Sequence, residues 1–417
     1  MATQLTVELD PVVVENIPDH VPPELVRDLR WARGDFPVTY DEPYKETEAL
    51  LGPDVPPLMW TPDCIAGKPG VGAWVVTRYQ DIAKVYQDAE LFSTEGVAAF
   101  QWMIGETWPC IPLGIDPPDH MKYRTMLNPY FSPKAIDELE PKIRASANAL
   151  IDSFIDKGTT DFAYDFGRVY PVRVFMDLMG FPFTMFEQFL DWEFAILHSQ
   201  DFEKATTALR GILAYLREFI AEQKANPGPD LGGKIVTSQV FGRPINDDEI
   251  IGTIFFLWLG GLDTVASSLA MMFRRLGMNT EMQQTLRDNP GMIPDAVEEF
   301  LRVQPLVNSQ RLVKKDFEMH GVTIKKGDWV MNLVTAGNFD PAEFKCPREV
   351  QLDRQPNRHF TLAGGPHRCL GSHLARRELR VALEEWLRRV PPFKLAADDE
   401  RLVYPGLRSA RNVQLVW

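Results

Sequence analysis

Cys369 stands at the end of a glycine-rich run, Thr361–Arg377 (TLAGGPHRCLGSHLARR), that leads straight into an amphipathic helical pattern. Free backbone N–H groups and a helix N-terminus beside a sulfur favour the thiolate and predict a lowered thiol pKa. A thiolate there is a metal ligand or a nucleophile; the alternative is a buried thiol acting as a small hydrophobe. A second place for chemistry is Gly260-Gly261-Leu262-Asp263-Thr264, inside an otherwise apolar helix. Each glycine costs about 1 kcal/mol in a helix interior, so the pair needs a reason, such as a flat ligand lying close to the backbone. The adjacent acid and hydroxyl form a local proton relay or loosen the helix by competing for its hydrogen bonds; a helix contact plus a satisfied buried acid is the plainer reading. Glu299 and Arg302 make an i,i+3 pair, ordinarily a weak solvated bridge. In DPPDHMKYR, Pro117 and Pro118 open a helix that puts His120 and Arg124 on one face, where two cationic groups can hold a carboxylate or phosphate.

Positioning these residues falls mostly to helices. Helical periodicity covers Pro133–Ile155, Phe183–Lys224, Asp247–Gly277, Glu281–Asn289, Pro294–Arg302 and Ser372–Arg389. Asn246 caps the third of these, with the acids of DDE in its first turn. Alternating stretches at Ala73–Thr77, Glu318–Ile324 and Trp329–Leu333 predict strands and hairpins. No repeat or polar linker divides the chain, so residues 1–417 are expected to form one domain, mainly α with a smaller β-rich lobe.

Composition narrows the function classes. With 417 residues, 45% hydrophobic and 24% charged, the chain is an ordinary globular protein. Lys plus Arg total 44 against 58 Asp plus Glu, a formal charge of -14 that argues against nucleic acid or an anionic membrane as the main partner. The four cysteines (Cys64, Cys110, Cys346, Cys369) contain no C-x-x-C pair and make no disulfide framework, which predicts a reducing compartment. The N-terminal residues have no basic segment followed by an apolar run, so a soluble, cytoplasmic protein is expected. One stretch, Ile250–Phe273, is long and apolar enough to cross a bilayer, but Gly260-Gly261 and Asp263-Thr264 interrupt its centre. A helix buried in a large soluble domain is the expectation.

Taken together, these motifs resemble the cytochrome P-450 superfamily of haem-thiolate monooxygenases. The resemblance rests on Gly365, His367, Cys369 and Gly371 (G-x-H-x-C-x-G), GGLDT, Glu299-x-x-Arg302 and DPPDHMKYR, in the family's order and spacing. It covers nearly the whole chain from Ile17 onward. IPDHVPPELV, GGLDTV, HGVTIKKGD, CLGSHLARREL and the terminal LVW are similar to the bacterial class I camphor monooxygenase subfamily. The fold implied is that of the family, with haem b between the central helix and the cysteine loop.

The resemblance also implies residue roles. Cys369 is the axial thiolate, whose electron donation favours O–O cleavage. Asp263 and Thr264 resemble the acid and alcohol that deliver protons to the distal oxygen, while Gly260 and Gly261 leave room for dioxygen. His120, Arg124, Arg311 and His367 resemble the donors that clamp the haem propionates. Glu299, Arg302 and Arg354 resemble the charge cluster that fixes the cysteine loop. Two departures stand out: Leu362 occupies the place of the usual aromatic shield over the sulfur, and Ser309 that of an aspartate contacting a propionate. Trp108 falls where the camphor enzyme has the tyrosine that holds its ketone, so its indole N–H is expected to meet a substrate oxygen. Phe256, Leu259 and Val307 are expected to line an apolar wall.

The implied activity is hydroxylation of an unactivated C–H bond in a small terpenoid, a monoterpenoid or norisoprenoid such as cineole, camphor or ionone. Dioxygen is the oxidant, and the chain is expected to act as a monomer. No flavin- or nicotinamide-binding fingerprint is visible, so electrons are expected from an iron–sulfur ferredoxin and its reductase, docking on basic residues around Arg124, Arg368, Arg376 and Arg377. Two other readings are a haem protein that only binds ligands or passes electrons, and a membrane-inserted binding protein built on Ile250–Phe273.

Overall fold

The structure is a computed structural model that describes residues 17–30, 47–65, 68, 70–98, 100–199, 201–396, 409–410 and 412–417. The N-terminal leader-free expectation falls on residues outside these. The helices that matter for the site are α1 (Tyr79–Gln87), α2 (Asp119–Leu127), α3 (Pro133–Asp152), α4 (Val169–Met179), α5 (Phe186–Leu197), α6 (Phe202–Ala225), α7 (Asp247–Leu262), α8 (Thr264–Met278), α9 (Ile293–Val303) and α10 (Ser372–Arg389).

Two stretches that periodicity reads as single helices are each split by polar residues at their centres. Between Phe183 and Lys224, α5 ends at Leu197 with His198 as its C-cap, and Asp201 starts α6 by accepting hydrogen bonds from the N–H groups of Glu203 and Lys204. Between Asp247 and Gly277, the break falls at Asp263. The expected Asn246 cap is present as a full capping box: its side chain accepts from Glu249 N–H while the Glu249 carboxylate accepts from Asn246 N–H.

Five strands, β1 (Leu58–Thr61), β2 (Ala73–Val76), β3 (Phe92–Ser93), β4 (Ser309–Val313) and β5 (Trp329–Asn332), form the main sheet in the order β1-β2-β5-β4-β3. The β2/β5 pair is parallel, with Trp74 opposite Val330, and the other pairs are antiparallel. β2 is buried on both faces because alternate residues feed two small cores. Trp74 and Val76 pack with Leu58, Trp60 and Val330, whereas Ala73 and Val75 pack with Met59 and Met331. The expected hairpin is Phe317–Met319 paired with Val322–Ile324.

A far larger helical core holds α3 to α10 together, with Trp258, Phe273, Phe300 and Trp386 fully shielded. The α7–α8 stretch is long and apolar enough to cross a membrane, but 72% of its apolar window is buried inside this core. Its hydropathy is therefore satisfied by protein packing.

Candidate active site

Between Ile250 and Leu276, α7 and α8 are mostly buried. Phe256, Gly260, Thr264 and Ser268, each four residues from the next and so on one helix face, keep accessible surface. Gly260 is the most open: a Cβ built there meets nothing within 4 Å. At Gly260 the stripe opens onto free space, a cleft, while Phe256 also packs against the helical core. Thr264 Oγ1 donates to Gly260 O at 2.9 Å, sharing the carbonyl that a continuous helix would use for its own backbone bond. Asp263 sits at the break and points elsewhere, with His198 Nε2 2.8 Å from its Oδ2 and Ser267 Oγ donating to its Oδ1 at 3.0 Å.

Gly261 does not share this cleft. A Cβ there would lie 2.4 Å from the Phe175 ring on α4, so its missing side chain admits a neighbouring helix and not dioxygen. The expectation that both glycines make oxygen room is corrected for Gly261.

The cysteine loop is built from its neighbours inward. Gly365 has φ +62, and a Cβ would come within 2.0 Å of Tyr86 O, so only glycine fits against α1. Cys369 N–H donates to Leu362 O at 2.9 Å, which closes the loop at the position of the missing aromatic shield. Burial pushes the Cys369 thiol up, against the Gly371 N–H bonded to it and the positive field of Arg124, Arg376 and Arg368. The lowered pKa expected from the helix N-terminus is therefore corrected: desolvation exceeds it. A cation bound to the sulfur reverses the balance, because a coordinating thiol is deprotonated outright.

Behind this loop lies the Glu299–Arg302 pair, both 0% exposed and far from the solvated bridge that spacing alone implies. Arg302 donates two bonds to the Glu299 carboxylate and others to Asn338 O and Pro347 O. Arg354 joins from the other side at 3.0 Å. Asn338 then accepts from Phe360 N–H and donates to Thr361 Oγ1, whose own hydroxyl donates to Leu301 O. The cluster thus anchors the backbone that enters the cysteine loop.

His120 and His367 lie against each other with ring centroids 4.0 Å apart and their planes tilted by 40°. Both His120 ring nitrogens are buried without a hydrogen-bond partner. Burial and the neighbouring positive charge of Arg124 hold His120 down to about 4; burial, His120 and Arg311 hold His367 down to about 3. Arg311, 4% exposed, donates to Gln310 O and lies over the Tyr86 ring. Arg124 donates to Arg368 O at 2.8 Å, tying α2 to the cysteine loop. Orphaned buried donors and a buried guanidinium gathered together call for carboxylates, and two haem propionates fit them. Ser309 is committed elsewhere: its hydroxyl donates to Tyr86 and accepts from Asn332.

The comparisons with known proteins agree with this arrangement. The chain is 36% identical over 405 residues, 96% of its length and 97% of the relative's, to the probable cytochrome P450 127A1 of Sinorhizobium fredii (strain NBRC 101917 / NGR234). The chain belongs to the cytochrome P450 family. Residues 291–403 match the family model described as Cytochrome P450. A Mycobacterium tuberculosis (strain CDC 1551 / Oshkosh) steroid C26-monooxygenase is 32% identical over 341 residues, 79% of this chain and 90% of its own. Among solved structures, cytochrome P450 CYP101C1 superposes with a TM-score of 0.83 at 33% identity, covering 96% of this chain and 99% of that one. CYP101J2 gives 0.82 at 31% identity with the same coverage. This P450 is therefore a haem b monooxygenase with the family's mainly helical fold and smaller β region, and its likeness to CYP101 proteins agrees with the subfamily resemblance.

The expected substrate residues of the P450 are less well gathered. The Trp108 indole N–H is committed to the Glu106 carboxylate, which Arg217 also holds, and the ring packs edge-on against Phe255. The expected bond from Trp108 to a substrate oxygen is corrected accordingly. Phe256 lies on the open stripe, Leu259 is buried in the main core, and Val307 is 49% exposed. The basic docking patch is also thinner than its arginines imply. Arg376 is paired with Glu298 at 2.6 Å, and Arg377 with Asp137 and Glu140, which leaves Arg368 exposed. His198 was the residue that periodicity hid; the Ser199 and Asp201 capping types beside it were the signal of a helix end.

Proposed function

We propose that this P450 hydroxylates an unactivated C–H bond of a small, mostly apolar terpenoid, in the cytoplasm, with electrons from an iron–sulfur ferredoxin and its reductase. The observation that carries the reading is the open stripe Phe256-Gly260-Thr264, an aromatic wall, a gap and a hydroxyl in sequence along one helix face. Haem, when bound, supplies the dioxygen activation and the two-electron oxidation.

The chain's own residues do the rest. Cys369 would hold the metal as thiolate, while His120, His367, Arg311 and Arg124 would hold the propionates. Gly260 leaves space for dioxygen. Thr264 Oγ1 presents a proton to that space, and Asp263, its chain neighbour, replaces it. Phe256 excludes water and orients an apolar substrate, with Leu259 behind it and Val307 at the edge. Arg368, with Lys122 exposed on the helix that supplies Arg124, is a docking point for an acidic ferredoxin.

The test is a ferric spectrum titrated with cineole, camphor, an ionone and a C27 steroid, followed by turnover with a ferredoxin system. A low-to-high-spin shift with one of the terpenoids, and hydroxylated product from it, is the expected result. A response confined to the steroid refutes the substrate class, and no red-shifted band for the reduced protein with carbon monoxide refutes the Cys369 ligation.

A further inference from the structure

Asp263 stands at the break between α7 and α8, and what its carboxylate meets is itself titratable. His198 Nε2 is 2.8 Å from Asp263 Oδ2 and 3.6 Å from Glu193 Oε1, so one imidazole nitrogen stands between two carboxylates. All three residues offer atoms within 4.8 Å of one another. His198 and Glu193 are 6% and 4% exposed, His198 just past the end of α5 and Glu193 near the end of that helix. A cavity of about 240 Å³ adjoins the cluster, lined by Glu193 and Asp263 with Arg168, Tyr164, Asp191 and Ala266 among others. It reaches the surface, where Tyr164 is 56% exposed. At roughly 30 Å³ of liquid volume per molecule, it holds several waters.

A buried histidine between two acids, beside a water-sized cavity, is more than a packing device. Its ordinary pKa makes it the side chain able to gain and lose a proton near neutral pH. We propose that His198 is the positioning residue through which Asp263 is reloaded with protons from this cavity, with Glu193 as the cavity-side acid of the same cluster. Nε2–H donates to Asp263; after Asp263 passes a proton towards Thr264, His198 re-protonates it and takes its own replacement from Glu193 or cavity water. Each turnover consumes two protons and two electrons with one dioxygen, giving the alcohol and one water. Every proton delivered is matched by one drawn from solvent, so the cluster returns to its starting charge. The inference rests on the relay reading of Asp263 and Thr264 given above.

Among the described residues, the groups around the cluster include Glu193 on α5 and Asp263 at the α7–α8 break, Ser267 bonded to Asp263, and Arg168, Asp191 and Tyr164 on the cavity lining. Coupling, measured as product formed per NADH, is therefore expected to change with pH in the wild type. His198→Gln keeps an N–H donor for the carboxylates but cannot carry a proton. The expected results are a fall of about tenfold or more in coupling, a matching rise in peroxide, a changed solvent isotope effect and a flattened pH profile. Substrate Kd and the carbon monoxide spectrum of the holoenzyme should not change. Adding His198→Gln to Asp263→Asn should cost little beyond Asp263→Asn alone. Glu193→Gln, a second and milder variant, should lower coupling in the same direction.

If His198→Gln and Glu193→Gln leave coupling and its pH profile as in the wild type while Asp263→Asn uncouples, the His198 inference is wrong and the relay reading stands. If Asp263→Asn and Thr264→Ala also leave coupling untouched, the relay reading itself fails.

Discussion

The two walls of the haem cleft are built on opposite terms. On the cysteine side, Glu299, Arg302 and Arg354 are buried, bonded to one another and to backbone carbonyls such as Asn338 O and Pro347 O. On the distal side, the helix is broken at Asp263, Gly260 faces empty space, and Thr264 shares a carbonyl with the backbone. The difference teaches where rigidity is needed. A metal ligand must be held in one place, so its backbone is fixed by charges too costly to separate. Dioxygen, substrate and protons must come and go, so the facing helix gives up regular hydrogen bonds to make room.

Breaking the rigid wall should have the largest effect. Arg302→Met leaves the Glu299 carboxylate buried beside Arg354 with its main partner gone, a loss on the order of 3–5 kcal/mol. The expected outcome is little folded holoprotein, read by chemical denaturation and haem content; a stable variant with an unchanged midpoint would show that the cluster is dispensable.

The outer edge of the same wall should show itself in acid. Burial raises Glu298, but hydrogen bonds from His359 and Arg376 overcome it and hold the carboxyl down to about 2. A carboxyl depressed in the folded state stabilises above its unfolded pKa of 4.5, and that contribution is lost as pH falls towards about 2. Glu298→Gln should therefore remove up to roughly 3 kcal/mol at pH 7 and flatten the decline in stability below pH 4.5. Parallel acid limbs for variant and wild type would dismiss the pair as a stabilising element.

The distal wall is best probed by its two glycines. Gly261→Ala pushes a methyl group into the Phe175 ring and should cost about 1–3 kcal/mol in a melt. Gly260→Ala meets nothing in the protein and, as the better helix former, should hold or raise stability by up to about 1 kcal/mol. Its cost should appear instead as weaker ligand binding in the cleft. Equal melting points would mean that the two sides of the break do not differ.

The smallest effect is expected at Trp108. Because its N–H serves Glu106, Trp108→Phe should lower stability by about 1–2 kcal/mol, a hydrogen bond to a charged group, without changing the Kd of an oxygen-bearing terpenoid. A weakened Kd at constant stability would restore it to the substrate pocket.

Much of this was legible in the chain because it depends on local order. The Cys369 loop, the GGLDT break, the Glu299-x-x-Arg302 pair and the Asn246 cap are each contained within a few residues, and periodicity places the helices that carry them. Sequence alone also assigned the apolar Ile250–Phe273 stretch to a buried helix, because an acid and paired glycines at its centre suit protein packing better than lipid.

What only the tertiary structure decided is which partner each of these residues meets. Two adjacent glycines are identical in sequence terms, yet one faces open space and the other a phenylalanine from α4, since successive residues on a helix point about 100° apart. The thiol's pKa direction, the commitment of Trp108 to Glu106 and of Arg376 to Glu298, and the meeting of His198 with Asp263 join residues that are close only in space. Burial and long-range contact set those outcomes. Local spacing carries no term for either.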